Sequence, residues 1–361
     1  MTTYAQAGVN IELGDDASKV MYEAAKLTWQ NRQGRVGNII CPKDDFSGVR
    51  AIDIGGLPKG TLLSMGFDGV GTKVEIAERM QNHSTMAFDL FAMVCDDAVV
   101  YGAEPIVVGS ILDVQALERN GVSQLEFMKQ LAAGYIAAAK AARVAVINGE
   151  IAELGARVSG FGSFNYNWGA AVIWVAKEER LLTGDKIKTG DKIITLREKG
   201  FRSNGLSLLR KIMKDRYGEN WHTQKLAGKD IGELALQPSQ IYCAAVTDML
   251  GGYDGKAGCA VNGVVHITGG GIMGKLGRVL RRAKKGARLN NLFAPSALMQ
   301  HAIEIGNVAE AEAYKTWNMG NGMLVIVAPG EEQKAISLSQ AHGIDAQVCG
   351  EITENEGINI E

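Results

Sequence analysis

HSTMAFDLFAMVCDDAVVYGAEPIVVGSILDV, residues 83–114, is the stretch that decides the fold class. Residues 83–105 carry apolar side chains at helical spacing, and 106–114 form an apolar run of strand length. A helix feeding a buried strand is the repeating step of an α/β protein. The alternation continues on both sides. TLLSMGF (61–67) reads as a strand, 122–142 as an alanine-rich amphipathic helix, and 144–149 and 167–176 as strands. Upstream, 17–32 reads as a helix with Asp15 or Asp16 as its N-cap. A polar, glycine-rich loop at 33–48 and a short strand at 50–54 follow it.

A second domain starts near residue 178. Its opening, LLTGDKIKTGDKIITL, reads turn, turn, strand. Helices are expected at 203–218, 238–250, 272–284 and 294–306, with strands at VNGVVHI and GMLVIVA. The expectation is therefore two mixed α/β domains, 1–177 and 178–361.

Composition narrows the function. A net charge of −2 over 361 residues gives no global basic field, so nucleic acid and anionic lipid are not the expected partners. No apolar run approaches membrane-spanning length. The N-terminal residues MTTYAQAGVNIELGDD lack the basic and apolar regions of a signal peptide. The five cysteines are scattered and never spaced CxxC, which suits reduced thiols in a cytoplasmic protein.

GFDGVGTK (66–73) sets Asp68 and Lys73 five residues apart on glycine-rich backbone. A carboxylate at a strand end can hold Mg²⁺, and a lysine beside exposed backbone amides can meet phosphate. A tight turn with a surface ion pair is the other reading. The order GxxxxGK[ST] of a Walker A loop is missing. In the 83–105 helix, Asp89 and Asp96 share a face and Asp97 lies beside it. The sequence around them is so apolar that at least one should be buried, and a buried carboxylate needs a partner or a metal. NGEIAE (148–153) places Glu150 and Glu153 after a strand, as metal candidates or as a solvated loop. RSNG (202–205) combines a guanidinium with a helix start, an arrangement for anions, while Ser203 or Asn204 could simply cap that helix. HITGGG (266–271) sets His266 and Thr268 before a turn able to approach a ligand closely. The remaining histidines suggest no chemistry, and no nucleophile–histidine order stands out.

Taken in order, DGVGTK, HSTMAFDLFAMVCDDAVVYGAEP, GEIAE, RSNGLSL, PSQIY, HITGGG and TWNMGNGM resemble the aminoimidazole ribonucleotide synthetase (phosphoribosylformylglycinamidine cyclo-ligase) family over residues 4–352. The resemblance implies a two-domain α/β fold and a homodimer whose N-terminal domains pair through a β-barrel. It places the active site in a cleft between domains. It implies ATP, Mg²⁺ and the substrate formylglycinamidine ribonucleotide, in purine biosynthesis. Asp68 and Asp97 match acidic positions suited to Mg²⁺, with Asp89 and Glu150 as second candidates. Lys73, Thr72 and Gly71 would meet ATP phosphate. Arg202, Ser203, Asn204, His266, Thr268, Gly269 and Gly270 would line the substrate side, including its ribose phosphate. Asp68, Lys73 and Asp97 are the expected catalytic set.

The chain departs from the family pattern mainly at the substrate end. Arg202 replaces a histidine, Glu198 and Lys199 replace two serines, and Asn167 replaces an aspartate. Lys275 and Gly277 stand where the family has asparagine and proline. Two other readings follow: a paralogue activating a different amide or carboxylate, and a non-catalytic nucleotide-binding scaffold.

Overall fold

The computed structural model describes residues 11–42 and 49–361. The start of the resemblance, residues 4–10, and the 43–48 part of the expected loop lie outside the described residues. The chain divides into two compact units. The first holds residues up to 59, 63–95 and 105–174, and the second holds 60–62, 96–104 and 175–361.

In the first unit, helix α1 (Ile11–Thr28) is prolonged by a 3₁₀ turn at Trp29–Arg32. It begins before Asp15 and Asp16, so the expected caps are instead exposed residues inside the helix. Two-residue strands pair Ile39–Ile40 with Ala51–Ile52 and Glu118–Arg119 with Val122–Ser123, and four longer strands carry the unit: β1 (Thr61–Gly69), β2 (Glu104–Val114), β3 (Ala145–Glu153) and β4 (Tyr166–Lys177). These four form a sheet in the order β1-β4-β2-β3. β2 and β3 are parallel, and the connection between them carries α4 (Leu125–Ala142), as a parallel pair requires. α2 (Val74–Met80) and α3 (Met86–Val99) lie between β1 and β2 in sequence.

α1 packs on α4 and β3. One sheet face is sealed, with Val108 and Leu112 of β2 buried. The other face is open and apolar: Leu63, Met65 and Phe67 alternate along β1, and Ile111 faces the same way from β2. Glu150 is the cross-strand partner of Ile111, so it shares that open face. Glu150 and Glu153 therefore lie within a strand, not after one as the sequence suggested.

The second unit is built on six strands: β5 (Lys192–Arg197), β6 (Val261–His266), β7 (Gly286–Leu289), β8 (Asn321–Val327), β9 (Ala346–Thr353) and β10 (Gly357–Ile360). Their order is β6-β8-β5-β9-β7-β10. All neighbours are antiparallel except β7 and β10. The helices are α5 (Leu206–Tyr217), α6 (Cys243–Leu250), α7 (Gly271–Ala283), α8 (Ala297–Gly306), α9 (Glu310–Thr316) and α10 (Glu332–Ala341), besides a short turn of helix at Ile231–Ala235. Ile272, Leu276 and Leu280 of α7 recur at helical spacing and bury with Ile193, Val265, Leu289, Leu324 and Ile326 of the sheet.

The helix expected over 238–250 starts only at Cys243. Its first amides are taken by a side chain from elsewhere in the same unit: Asp96 Oδ1 accepts from the backbone N–H groups of Tyr242 (2.9 Å) and Cys243 (2.8 Å). An outside carboxylate thus does the work of an N-cap on donors that the helix leaves unpaired.

Candidate active site

In the first unit, β1 runs into a turn at Val70 and a 3₁₀ step at Gly71–Lys73 that continues as α2. Gly71 has φ +66°, a conformation glycine adopts without strain. Asp68 is exposed, and its Oδ1 accepts the Gly69 N–H at 2.7 Å. Gly71 and Thr72 are exposed as well. Asp68 and Glu150 line one open cavity of roughly 630 Å³ with Asn148 and Asn167, so two expected acidic positions share a surface.

Lys73 departs from expectation. Its ammonium bonds Asp89 Oδ1 at 2.7 Å, and both side chains are fully sealed. Turning inward, it supports the turn from beneath and presents no charge to a phosphate. Asp89 is correspondingly a partner for an internal cation, not an open cofactor ligand. The expectation of a buried acidic residue in α3 holds, and the partner is a lysine.

The second unit holds a denser polar cluster. Arg202 Nη2 donates to Asp96 Oδ2 at 2.9 Å and to His266 Nε2 at 2.8 Å. Its Nη1 donates to Glu198 Oε2 at 3.0 Å and to the Gln240 carbonyl at 2.8 Å. The guanidinium carbon lies 5.1 Å from the Tyr242 ring centre. Arg202, Asp96, Glu198 and His266 are all buried. Burial opposes charge on Arg202, but the Asp96 and Glu198 carboxylates outweigh it and hold its pKa above the usual arginine value. The expected meeting of Arg202 with a substrate anion is not what the structure shows, because two buried carboxylates already neutralise it.

His266 links this cluster to the surface. Its Nδ1 lies 2.7 Å from Asp97 Oδ1, and the Asp97 side chain is about half exposed, at 51%. Burial works against ionising Asp97. The His266 hydrogen bond and the Lys275 and Arg202 charges prevail and hold its pKa below the ordinary aspartate value. His266 and Asp97 also border a cavity of roughly 150 Å³ with Thr183, Lys275, Arg278 and Arg282.

Beside Arg202, Ser203 and Asn204 precede α5 without capping it. Gly205 holds the N-cap position with no side-chain cap bond. Ser203 Oγ and Asn204 Oδ1 are buried atoms with no hydrogen-bond partner among the described residues. Such atoms are costly unless something binds them. Asn204 Nδ2 adjoins Gly269 in the turn that opens α7. That turn needs its glycines: a Cβ on Gly271 (φ +59°) would fall 1.8 Å from the Tyr314 carbonyl oxygen. Ser203, Asn204, Thr268, Gly269 and Gly270 are thus brought together at two helix starts.

Among the described residues, no group of three or more His, Cys, Asp or Glu side chains is arranged to hold a metal ion. Asp68 and Asp97 are exposed single carboxylates. They fit Mg²⁺ arriving with phosphate oxygens and water, the ion's usual habit, and not a resident ion in a protein cage. What sequence reasoning missed is Tyr242 and the pairing of the buried groups, Asp96 and Glu198 with Arg202 and Glu198 with Tyr242. The signal for Asp96 was its apolar surroundings. Nothing local pointed to its partner 106 positions away.

Comparison with known proteins places this arrangement. Residues 48–164 match the N-terminal domain of AIR synthase related proteins, and residues 188–361 match their C-terminal domain. The fold agrees. A thiamine-monophosphate kinase from Stenotrophomonas maltophilia K279a superposes with a TM-score of 0.61, covering 95% of this chain and 96% of that one at 14% identity. The hydrogenase maturation protein HypE, in complex with ATP, gives 0.55 at 13% identity, covering 86% and 80%. Fold and sequence together define a two-domain AIR synthase related protein.

The relatives are more specific. A phosphoribosylformylglycinamidine cyclo-ligase of Sorangium cellulosum is 34% identical over 97% of this chain and 95% of its own length. That of Pyrococcus furiosus is 30% identical over 100% of this chain and 98% of its own. The chain belongs to the phosphoribosylformylglycinamidine cyclo-ligase family.

Proposed function

We propose that this chain catalyses the ATP-dependent closure of formylglycinamidine ribonucleotide to aminoimidazole ribonucleotide, a step of purine biosynthesis. An amide oxygen is a poor leaving group. Transfer of the γ-phosphoryl group of ATP to that oxygen releases ADP and makes it a good one. The amidine nitrogen then attacks the activated carbon, the ring closes, and phosphate leaves with the former amide oxygen. Holding the triphosphate and stabilising its moving charge is the protein's main task in such chemistry.

One observation carries the reading: a half-exposed Asp97 carboxylate is held by buried His266, on a chain related end to end to cyclo-ligases. Asp97 and Asp68 would each offer one oxygen ligand to Mg²⁺, which would neutralise phosphate charge when bound. Exposed Gly71 and Thr72 would offer a backbone amide and a hydroxyl to phosphate. Ser203, Asn204, Thr268, Gly269 and Gly270 would take the substrate and its ribose phosphate, aided by the N-termini of α5 and α7. The same reading assigns nucleotide and dimer contacts to residues 1–177 and the synthetase-like half to 178–361.

A homodimer belongs to the proposal. The open face of β1, with Leu63, Met65 and Phe67 exposed, is more apolar than water-facing sheet should be. A cytoplasmic setting is part of it too, supported by five free cysteines. No helix among the described residues is long and apolar enough to cross a membrane.

The test is turnover by purified protein given ATP, Mg²⁺ and formylglycinamidine ribonucleotide. ADP and aminoimidazole ribonucleotide should form in equal amounts. ADP alone would mean a different acceptor. If folded, ATP-binding protein forms neither product, the proposal is overturned.

A further inference from the structure

We propose that Arg202 is the positioning residue for Asp97, acting through His266, and that it takes no substrate anion itself. The inference rests on the cyclo-ligase reading for its activity arm only. A guanidinium has donors and no acceptor. The His266 nitrogen 2.8 Å from Arg202 Nη2 must therefore present its lone pair. The ring proton then sits on Nδ1, where it points at Asp97 Oδ1, 2.7 Å away. Arg202 thereby selects one tautomer of His266, and that tautomer donates to Asp97.

Both terminal nitrogens of the arginine are themselves held. Asp96 is fixed by the Tyr242 and Cys243 amides before it meets Arg202. Glu198 Oε1 accepts the Lys199 and Gly200 amides at 2.9 and 3.1 Å, while its Oε2 faces Arg202. Arg202 also has φ +57°, a left-handed conformation that strains a side-chain-bearing residue. Such strain persists where surrounding bonds over-determine the position, commonly beside functional groups. Only 1% of the Arg202 side chain is exposed, which leaves no face for an incoming anion. At the other end of the relay, Asp97 Oδ1 is tied and its Oδ2 makes no hydrogen bond with any described residue. The carboxylate is presented in one orientation to whatever binds there. Supports of this kind, one step behind a ligand, set activity as strongly as many direct contacts.

Removing Arg202 alone would strand two buried carboxylates and threaten the fold. The informative variant is therefore D96N/E198Q/R202M, which removes all three charges together. His266 is one of five histidines, so ¹⁵N-histidine labelling resolves its ring, with H266Q identifying the signal by its loss. The wild type should show a single Nδ1–H tautomer. The folded triple variant should show both tautomers, with kcat reduced ~10–100-fold and the KM values for ATP and substrate nearly unchanged. A wild-type ring protonated at Nε2, or an unchanged ring in the triple variant, overturns the proposal. So does a released ring with wild-type kcat. If the wild-type protein turns over nothing, the cyclo-ligase reading has failed. The tautomer comparison then decides the Arg202–His266 link alone.

Discussion

Lys73 Nζ lies 2.7 Å from Asp89 Oδ1 beneath the 66–73 turn, with neither side chain reaching solvent. A buried pair gains little over a well-packed apolar pair, but breaking it leaves one charge uncompensated. K73M or D89L alone should each lower unfolding free energy by about 3–5 kcal/mol. The double variant K73M/D89L should recover most of that loss. Urea unfolding of the three proteins checks this, and additive losses would show that the two residues do not act as a pair.

Asp97 directly follows Asp96 in the chain, and it behaves differently from Asp89 and Asp96 because it faces solvent. D97A should therefore separate chemistry from stability. Turnover should fall at least ~100-fold, the scale of losing a group that stabilises transition-state charge. The unfolding free energy should change by less than about 1 kcal/mol, as for other exposed sites. A folded D97A protein with wild-type kcat would remove Asp97 from the active site.

The alternation from 83 to 114 carried the fold class because it depends on local periodicity, which α3 and β2 display openly. Helix α6 was read five residues too long, because the reason it starts at Cys243 is a carboxylate from α3. The site was legible in outline for the same reason. His266, Thr268 and the glycines could be seen as a turn, and Asp97 as an acid. Which charges are already neutralised could not be seen. Lys73 and Arg202 looked like anion ligands in sequence because their partners, Asp89 and Asp96 with Glu198, meet them only through tertiary packing.

The open face of β1 bears on assembly. Phe67 is 73% exposed and Met65 50%, on a strand whose alternate residues align them with Leu63. Introducing charge there should not disturb the core of a single chain. If the proposed homodimer forms through this face, the wild type sediments as a dimer and M65E/F67E as a monomer at micromolar concentration, with circular dichroism preserved. A variant that sediments as the wild-type dimer would place the interface on another surface.

His83 supplies a pH test of the first unit. It is buried among Phe127, Phe164 and Tyr166, with ring centres 4.9 to 5.4 Å away. Burial pushes its pKa down to about 4 from an ordinary 6.5. The unfolded chain thus takes up the proton first. Stability is intact above pH 6.5, falls as pH drops from 6.5 to about 4, and levels off below. The full loss is about 3 kcal/mol, from roughly 1.36 kcal/mol per pKa unit. Glu78 acts in the opposite sense, since burial raises its pKa and the folded state then gains stability as pH falls. Comparing wild type with H83Q cancels that contribution, because both proteins keep Glu78. Between pH 7 and pH 4.5 the wild type should lose more unfolding free energy than H83Q does. Parallel curves would mean that His83 accepts its proton in the folded state as readily as in the unfolded one.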